Sequence, residues 1–573
     1  MPESNADIAR RFHRLADLLE IDGANPFRVR AYRNAAQTIR AQSRSMADMV
    51  AGEEDLSRLP DIGDDIADKI RGIVETGRLP ILEEIEERVP GELSDMMKLE
   101  GLGPKRVKAL YEELHITGFD DLERAARAGR IRELSGFGRK TEEGILRRLE
   151  AWTGRERRTL LAEAEDIAEP LLEYLQGVKG VKRLTIAGSY RRRKETVGDL
   201  DILATAKKGS DIIDRFVEYE DVAEVVSHGT TRSTVHLKSG MQVDLRVVPE
   251  VSYGAALHYF TGSKAHNIAL RSIAQKRKLK INEYGVYKGD KRVAGKTEEE
   301  VYGHFKLAWI PPELRENHGE IEAAGKDSLP DLVTLKDIRG DLQMHTTESD
   351  GRNDLEEMAR AAAKLGYDYI AITDHSKRMT VANGLDEKRL RKQIEAIDRL
   401  NDKLDDIVIL KSVEVDILED GSLDLPDSVL KELDLTVCSI HSGFNLPRTK
   451  QTDRVLHAMD NRRFNILAHP TGRLIGERDR YEIDIERVMK AAKERGCFLE
   501  VNAQPVRLDL DDAACRMARD MGLKLAISTD AHSADGLANM RFGVDQARRG
   551  WLEADDVINT RSLSKLRALL KRD

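Results

Sequence analysis

The sequence predicts a multidomain protein of α+β and α/β class: a helical N-terminal region, a mixed middle segment, and a C-terminal distorted β/α, TIM-like barrel. Three observations carry this. At 573 residues the chain exceeds what one hydrophobic core supports. A short Gly-bearing hairpin recurs three times within the first 150 residues. Beyond about residue 337, strand-like and helix-like runs alternate, as in parallel βα units. Charged residues make up 34% and aromatics 5%. No apolar run approaches the roughly 18–20 residues of a membrane span. The opening "MPESNADIARRFHRLADLLE" reads as an amphipathic helix with acids, unlike a signal or transit peptide. Cys438, Cys497 and Cys515 are isolated and match no disulfide or zinc spacing. A cytoplasmic protein is expected.

The N-terminal hairpins are "LPDIGDDIADKI" (Leu59–Ile70), "LEGLGPKRVKAL" (Leu99–Leu110) and "LSGFGRKTEEGI" (Leu134–Ile145). Each is an apolar residue, a tight turn ending in Gly, then a helix with a polar first turn. That geometry aims backbone N–H groups and a helix N-terminus at one spot, a ready site for phosphate. One copy would be an ordinary linker. Three resemble helix–hairpin–helix motifs, which hold DNA backbone without reading sequence. Gly63, Gly101, Gly103, Lys105, Gly136 and Gly138 are the candidate contacts, and Asp61 stands where the motif usually has Gly. The net charge of −9 divides unevenly, about −5 over residues 1–150, +3 over 151–320 and −7 over 321–573. Positive charge clusters at Arg191–Lys194 and Lys276–Lys280, each alone a solvated surface run by default.

The middle segment holds the short strand-like runs "RLTIAGSY", "DLDILAT", "STVHL" and "QVDLRVV". In "GSYRRRKETVGDLDIL", Asp199 and Asp201 lie two apart on a predicted strand, so both carboxylates share a face, with Leu200, Ile202 and Leu203 as buried neighbours. Like charges this close call for a divalent cation. Asp244 is a third candidate, on a later strand able to pair beside the first. Three carboxylates could hold two metal ions for phosphoryl transfer. Gly188 and Ser189 would cradle the phosphate tail. A lone DxD is a weak pattern. GS, a basic run and GDxD together mark a nucleotidyltransferase fold, which transfers from a nucleoside triphosphate to a hydroxyl.

"HYFTGSKAHNIALRSIAQKRKLKINEYGVY" (His258–Tyr287) then resembles the nucleotide-contacting subdomain of family X DNA polymerases, the DNA polymerase beta group. The resemblance implies a palm and a thumb-like subdomain, with sugar and base contacts on Tyr259, Phe260, Gly262, Asn267 and Arg271. Its Tyr, here Tyr259, excludes a 2′-hydroxyl. It places triphosphate contacts on Ser189 and Arg192, and metal ligands on Asp199, Asp201 and Asp244. Arg232 and Arg246 match basic positions near the primer terminus and the third aspartate. The chain departs from the family at Arg193, where Gly is frequent after the paired arginines, and at Lys264, which replaces an Asp beside the base. "NPFRVRAYRNAAQTI" followed by "LPDIGDDIADKI" resembles the same family's small lyase domain, whose Schiff-base lysine falls on Lys69. Acids at Asp64, Asp65 and Asp68 surround it, and Asp65 and Arg28 replace supporting lysines; DNA-end binding is expected, and 5′-deoxyribose-phosphate lyase or abasic-site activity on Lys69 is left open.

In the C-terminal segment, apolar strands repeatedly end in ligand-type residues: His345 with Asp350 in its loop, His375, Glu414, His441, His469, Asp530 and His532. Such groups at the C-terminal ends of parallel strands mark a barrel active face. Imidazole and oxygen donors without cysteine suit Mn²⁺, Zn²⁺ or Fe²⁺. The arrangement resembles the PHP (polymerase and histidinol phosphatase) domain, a trinuclear phosphoesterase. The family pattern assigns Gln343, His345, Glu414 and Asp530 to one metal, Asp350, His375 and His532 to a second, and Glu414, His441 and His469 to a third. Gln343 stands where a chelating His is expected, and an amide oxygen binds metal more weakly.

The expected division is residues 1–82 lyase-like, 83–155 helix–hairpin–helix, 156–250 palm, 251–318 nucleotide-contacting, 319–336 linker and 337–573 PHP. The expected function is a gap-filling repair polymerase with metal-dependent 3′–5′ exonuclease action. It would use Mg²⁺ or Mn²⁺ in the palm and two or three Mn²⁺, Zn²⁺ or Fe²⁺ ions in the barrel. Gapped or nicked DNA and deoxynucleoside triphosphates are the expected partners, with no membrane, and a monomer. The competing readings are a small-phosphoester hydrolase targeted to DNA by its first half, or a purely structural barrel.

Overall fold

Helices with apolar residues three and four apart build the N-terminal unit, Met1–Arg157. The chain is described here by a computed structural model covering residues 5–41, 46–59, 61–97, 99, 102–155 and 158–572. Helices Asn5–Asp22 and Pro26–Ala41 pack face to face, with Phe12 stacked on Tyr32 at 5.9 Å between ring centroids. Ile8, Leu15, Ile39, Ile70, Val107 and Leu110 fill the same core. The three hairpins share one backbone geometry. Ile62, Leu102 and Phe137 each donate an N–H to the carbonyl three residues back, closing the turn, and helices Asp64–Thr76, Pro104–Leu114 and Arg139–Arg155 follow directly. Asp61 and Gly136 occupy the same turn position with φ of 60° and 82°. Asp tolerates that left-handed conformation better than most residues, which explains its presence in place of Gly.

The second unit, Arg158–Asp573, begins with a five-stranded sheet. Its strands are β1 (Val181–Ile186), β2 (Asp199–Ala206), β3 (Val222–His228), β4 (Arg232–Leu237) and β5 (Gln242–Val247), in the order β1-β2-β5-β4-β3. Only β2 and β5 pair in parallel. Leu200, Ile202 and Ala204 face the core under helices Leu161–Gln176 and Ile212–Val217. That leaves Asp199 and Asp201 on the opposite face. Helices Tyr253–Thr261 and Lys264–Lys276 follow, then a three-stranded antiparallel sheet within residues 280–294.

The segment 319–336 is packed rather than a free tether, a correction to the expected linker. Glu320 opens helix Glu320–Gly325, is fully buried, and accepts hydrogen bonds from the N–H groups of Asn317 and His318. Val333 is buried and donates its N–H to Leu552 O. Part of the charge in this Pro- and charge-rich segment is therefore internal and hydrogen-bonded.

The barrel strands are β6 (Gly340–Asp341), β7 (Tyr369–Ile372), β8 (Val408–Lys411), β9 (Glu414–Asp416), β10 (Val437–Ser439), β11 (Ile466–Leu467), β12 (Phe498–Asn502) and β13 (Leu525–Ser528), all parallel. β8 and β9 lie on one path: β8 pairs with β7, β9 with β10. A parallel bridge from Met344 to Ala531 joins the last strand to the first. Seven strand paths therefore close, one fewer than the eight of a regular (β/α)₈ barrel. Ile370, Val415, Cys438, Leu499 and Ile527 pack in its main core. No helix among the described residues is long and apolar enough to cross a membrane.

Candidate functional sites

The parallel register sets Asp201 opposite Asp244 and leaves Asp199 two residues away on the same face. Burial, then the neighbouring carboxylates Asp199 and Asp244, push Asp201 up to about 7, and burial with Asp244 raises Asp199. Asp244 goes the other way. Burial opposes its charge, but hydrogen bonds from Thr234 Oγ1 (2.7 Å), Gln242 Nε2 (3.0 Å) and an Arg232 guanidinium N–H (3.0 Å) hold it down. A buried acidic trio of this kind is short of positive charge, which a divalent cation supplies.

Gly188 begins a short turn, Gly188–Arg191, directly over these acids. Its φ of 61° favours glycine, and a Cβ there would come within 2.9 Å of Asp201 Oδ2. Ser189 and Arg192 lie on this turn. The Arg192 guanidinium donates to Glu316 (3.0 Å) and to the Thr261 carbonyl (2.8 Å). The YFTGS stretch is the end of a helix and the start of the next. Gly262 links the two, and Ser263 caps the second by accepting from the His266 N–H. Asn267 donates to Tyr259 O at 2.7 Å and keeps its amide oxygen buried without a protein donor. Arg271 lies 5.4 Å from the Tyr259 ring centroid, and Arg246 4.5 Å from that of Phe260. Tyr259 and Phe260 meet edge to face at 5.0 Å.

The barrel face gathers all nine predicted residues at strand ends. His345 Nε2 lies 3.0 Å from Asp530 Oδ1 and 3.4 Å from Glu414 Oε2. Glu414 Oε2 also meets His375 Nδ1 at 3.1 Å, and its Oε1 meets His469 at 3.1 Å and His441 at 3.4 Å. Asp350 lies 3.5 Å from both His375 and His532. Three tight donor groups result, each within 4.8 Å: His345, Asp350, His375 and His532; His375, Glu414 and His441; His345, Glu414 and Asp530. His345 and His375 are thus shared more widely than the family pattern assigns. Gln343 is fully buried with an amide N–H 3.4 Å from Asp530 Oδ1, and its amide oxygen has no donor. Among the described residues, Glu414 Oε2, despite its contact with His375, and the Nδ1 atoms of His345 and His469 are likewise buried without a partner in hydrogen-bond geometry. Orphaned buried donors of these types fit divalent metal ions. His469 and Asp530 hold left-handed backbone, φ 28° and 52°, conformations that concentrate at functional sites.

Several supporting residues were given no role in the sequence reading, although Asp374 stands beside His375 at a strand end. Asp416 Oδ1 orients His441 by accepting from its ring at 3.1 Å. Asp374 accepts from the Thr346 N–H and from the Ser349 and Gln393 side chains, fixing the loop that carries Asp350. Asn502 donates to Asp530 Oδ2 at 3.1 Å, and Arg507 lies 3.7 Å from the same oxygen. The period-two pairs Glu414/Asp416 and Glu500/Asn502 were the available clue.

In the N-terminal unit, Gly63, Gly103 and Gly138 precede their helices, and Lys105 lies in the first turn of the second; Gly101 lies outside the described residues. Arg232, 53% exposed at its side chain, stands at the rim of the acidic trio. Lys69 is ion-paired to Asp65 Oδ1 at 2.5 Å and lies 6.0 Å from the Tyr32 ring centroid.

Comparison with known proteins gives matches in five stretches of the chain. Residues 3–79 match a helix-hairpin-helix domain and 93–151 a SAM-like helix-hairpin-helix tandem. Residues 160–244 match the DNA polymerase beta palm, 256–316 the DNA polymerase beta thumb, and 341–504 the PHP domain. The last match stops short of Asp530 and His532, which the fold brings to the same cluster. The chain is 40% identical over 571 residues, 99% of each chain, to the DNA polymerase/3′-5′ exonuclease PolX of Bacillus subtilis (strain 168). Over 242 residues, 40% of this chain and 94% of that protein, it is 31% identical to a probable phosphatase of Thermoanaerobacter sp. (strain X514).

Proposed function

The chain belongs to the family X DNA polymerases that carry a C-terminal PHP domain, and from that membership we propose how its residues divide the work. It is a DNA-directed DNA polymerase and 3′–5′ exonuclease, filling gaps in DNA. The observation that carries the division is that two donor centres lie on separate sheets and share no residue.

In the polymerase half, Asp199, Asp201 and Asp244 are the ligands for Mg²⁺ or Mn²⁺. Those ions, when bound, activate the primer hydroxyl and stabilise charge on the phosphates. Arg232, Thr234 and Gln242 keep Asp244 ionised and fixed in orientation. Gly188 and Ser189 offer backbone and hydroxyl groups to the triphosphate, and Arg192 adds its guanidinium. Tyr259, Phe260 and Gly262 form the wall against sugar and base, with Asn267 and Arg271 behind them. The buried Asn267 oxygen supports this, because it keeps an acceptor free toward that wall.

In the barrel, His345, Asp350, His375, Glu414, His441, His469, Asp530, His532 and Gln343 hold two or three ions, with Mn²⁺ favoured. Bound ions would provide Lewis-acid activation for phosphodiester hydrolysis. Asp374, Asp416 and Asn502 orient the ligands. The second and third hairpins clamp DNA backbone through Gly103, Lys105, Gly136 and Gly138. The first has acids at its helix start, and Lys69 is paired with Asp65, so residues 1–82 are read as a DNA-end holder. A monomer acting in the cytoplasm on gapped or nicked DNA completes the reading.

The test is a 5′-labelled primer on gapped DNA with Mn²⁺ and deoxynucleoside triphosphates. Asp201→Ala should abolish extension and leave shortening, and His345→Ala the reverse. Loss of both activities in either variant would show that the two centres are not independent.

A further inference from the structure

The turn that carries Ser189 and Arg192 is held from the barrel. Three successive arginines leave it in three directions. Arg191 donates to Thr261 Oγ1 at 2.7 Å and to both Glu298 oxygens at 2.8 Å. Arg192 reaches Glu316 and the Thr261 carbonyl. Arg193 has a φ of 55°, where glycine is favoured, and its guanidinium spans to Asp545 (2.6 Å) and Glu165 (2.6 Å). Asp545 and Arg549 are four residues apart on helix Met540–Arg549 of the barrel, hence on one face. Arg549 donates to the Arg192 carbonyl at 2.8 Å, meets Glu316 at 3.3 Å and pairs with Asp512 at 2.5 Å. Its side chain is 2% exposed. One buried arginine of the barrel therefore grips the Arg192 backbone and shares the acid that holds the Arg192 side chain.

We propose that Arg549 and Asp545 are positioning residues for nucleotide binding, fixing the turn 188–194 so that Ser189 and Arg192 face the triphosphate. This rests on the reading that the turn binds the triphosphate. Arg549 draws on Glu316, so Arg192 is not held by that acid alone when phosphate competes for it. Arg193, anomalous as a nucleotide contact, is explained as the strut that reaches the barrel.

The experiment is steady-state extension on gapped DNA with Arg192→Ala, Arg549→Met, Asp545→Asn, Arg193→Ala and the Arg193→Ala/Asp545→Asn double variant. Primer shortening without nucleotide is followed in parallel. Arg549→Met and Asp545→Asn should raise KM for the incoming nucleotide, about tenfold for Arg549→Met, with kcat nearly unchanged and shortening intact. The Arg193/Asp545 double variant should cost no more than the larger single one. Should Arg549→Met lose shortening as well, Asp545→Asn, which keeps the side-chain shape, decides. If Arg192→Ala raises KM while the barrel variants do not, the positioning role is overturned and the nucleotide-binding reading stands. An unchanged KM in Arg192→Ala overturns that reading and this proposal with it.

Discussion

Gln343 is the residue at which the proposed barrel metal site is best probed. Its buried amide lies beside Asp530 and near His345, where an imidazole would add a basic nitrogen. Gln343→His is expected to add one tightly retained ion per chain, read by elemental analysis after gel filtration in chelator-free buffer. An unchanged metal content would remove Gln343 as the weak point. The histidines also predict a pH dependence. Burial works against charge on His375, but Glu414 and Asp350 raise it to about 9; for His532, burial is outweighed chiefly by Asp350, again to about 9. An imidazole nitrogen must be deprotonated to bind metal, so a proton competes at every pH below that value. Apparent Mn²⁺ affinity should rise from about pH 6.5 to 9. Each binding event should release protons, seen as different calorimetric heats in buffers of different ionisation enthalpy. Equal heats would contradict the shifts. Both histidines were nameable in the sequence; their charge was not, because Glu414 and Asp350, which raise them most, are brought to them from distant positions in the chain.

At the scale of elements, the hairpins were legible as a repeat, and all three turns close with the same backbone bond. Their charges divide them. Asp64 and Asp65 open the first helix, whereas Lys105 and Arg106 follow Pro104, and Arg139 and Lys140 open the third. A helix N-terminus binds phosphate best without acids there. Lys105→Ala should therefore reduce the slope of log affinity against log salt by about 1 on any DNA sequence. Asp64→Ala should leave or strengthen binding, and both are measured by anisotropy titration. If Lys105→Ala leaves the slope unchanged, the second hairpin is not in the clamp. The βα alternation was equally legible, since apolar runs and amphipathic runs have distinct periods. The segment 319–336 was not, because Pro and charge look alike whether solvated or buried in pairs, as Glu320 is.

Across the whole molecule, both centres depend on contacts between distant segments. Asp201 meets Asp244 only because β2 and β5 pair in parallel, and His345 meets Asp530 across 185 positions. Arg549 reaches the Arg192 carbonyl across 357. The two donor centres thus share no residue, yet the barrel helix bearing Arg549 touches the turn beside the aspartates. From sequence alone came the residue types, their spacing along each strand and the face each side chain takes, because those follow from local backbone periodicity. Tertiary structure alone decided which strands lie side by side, which donor side chains come together and where Arg193 points. Those outcomes turn on long-range packing and on burying charge only where an opposite charge is brought to meet it.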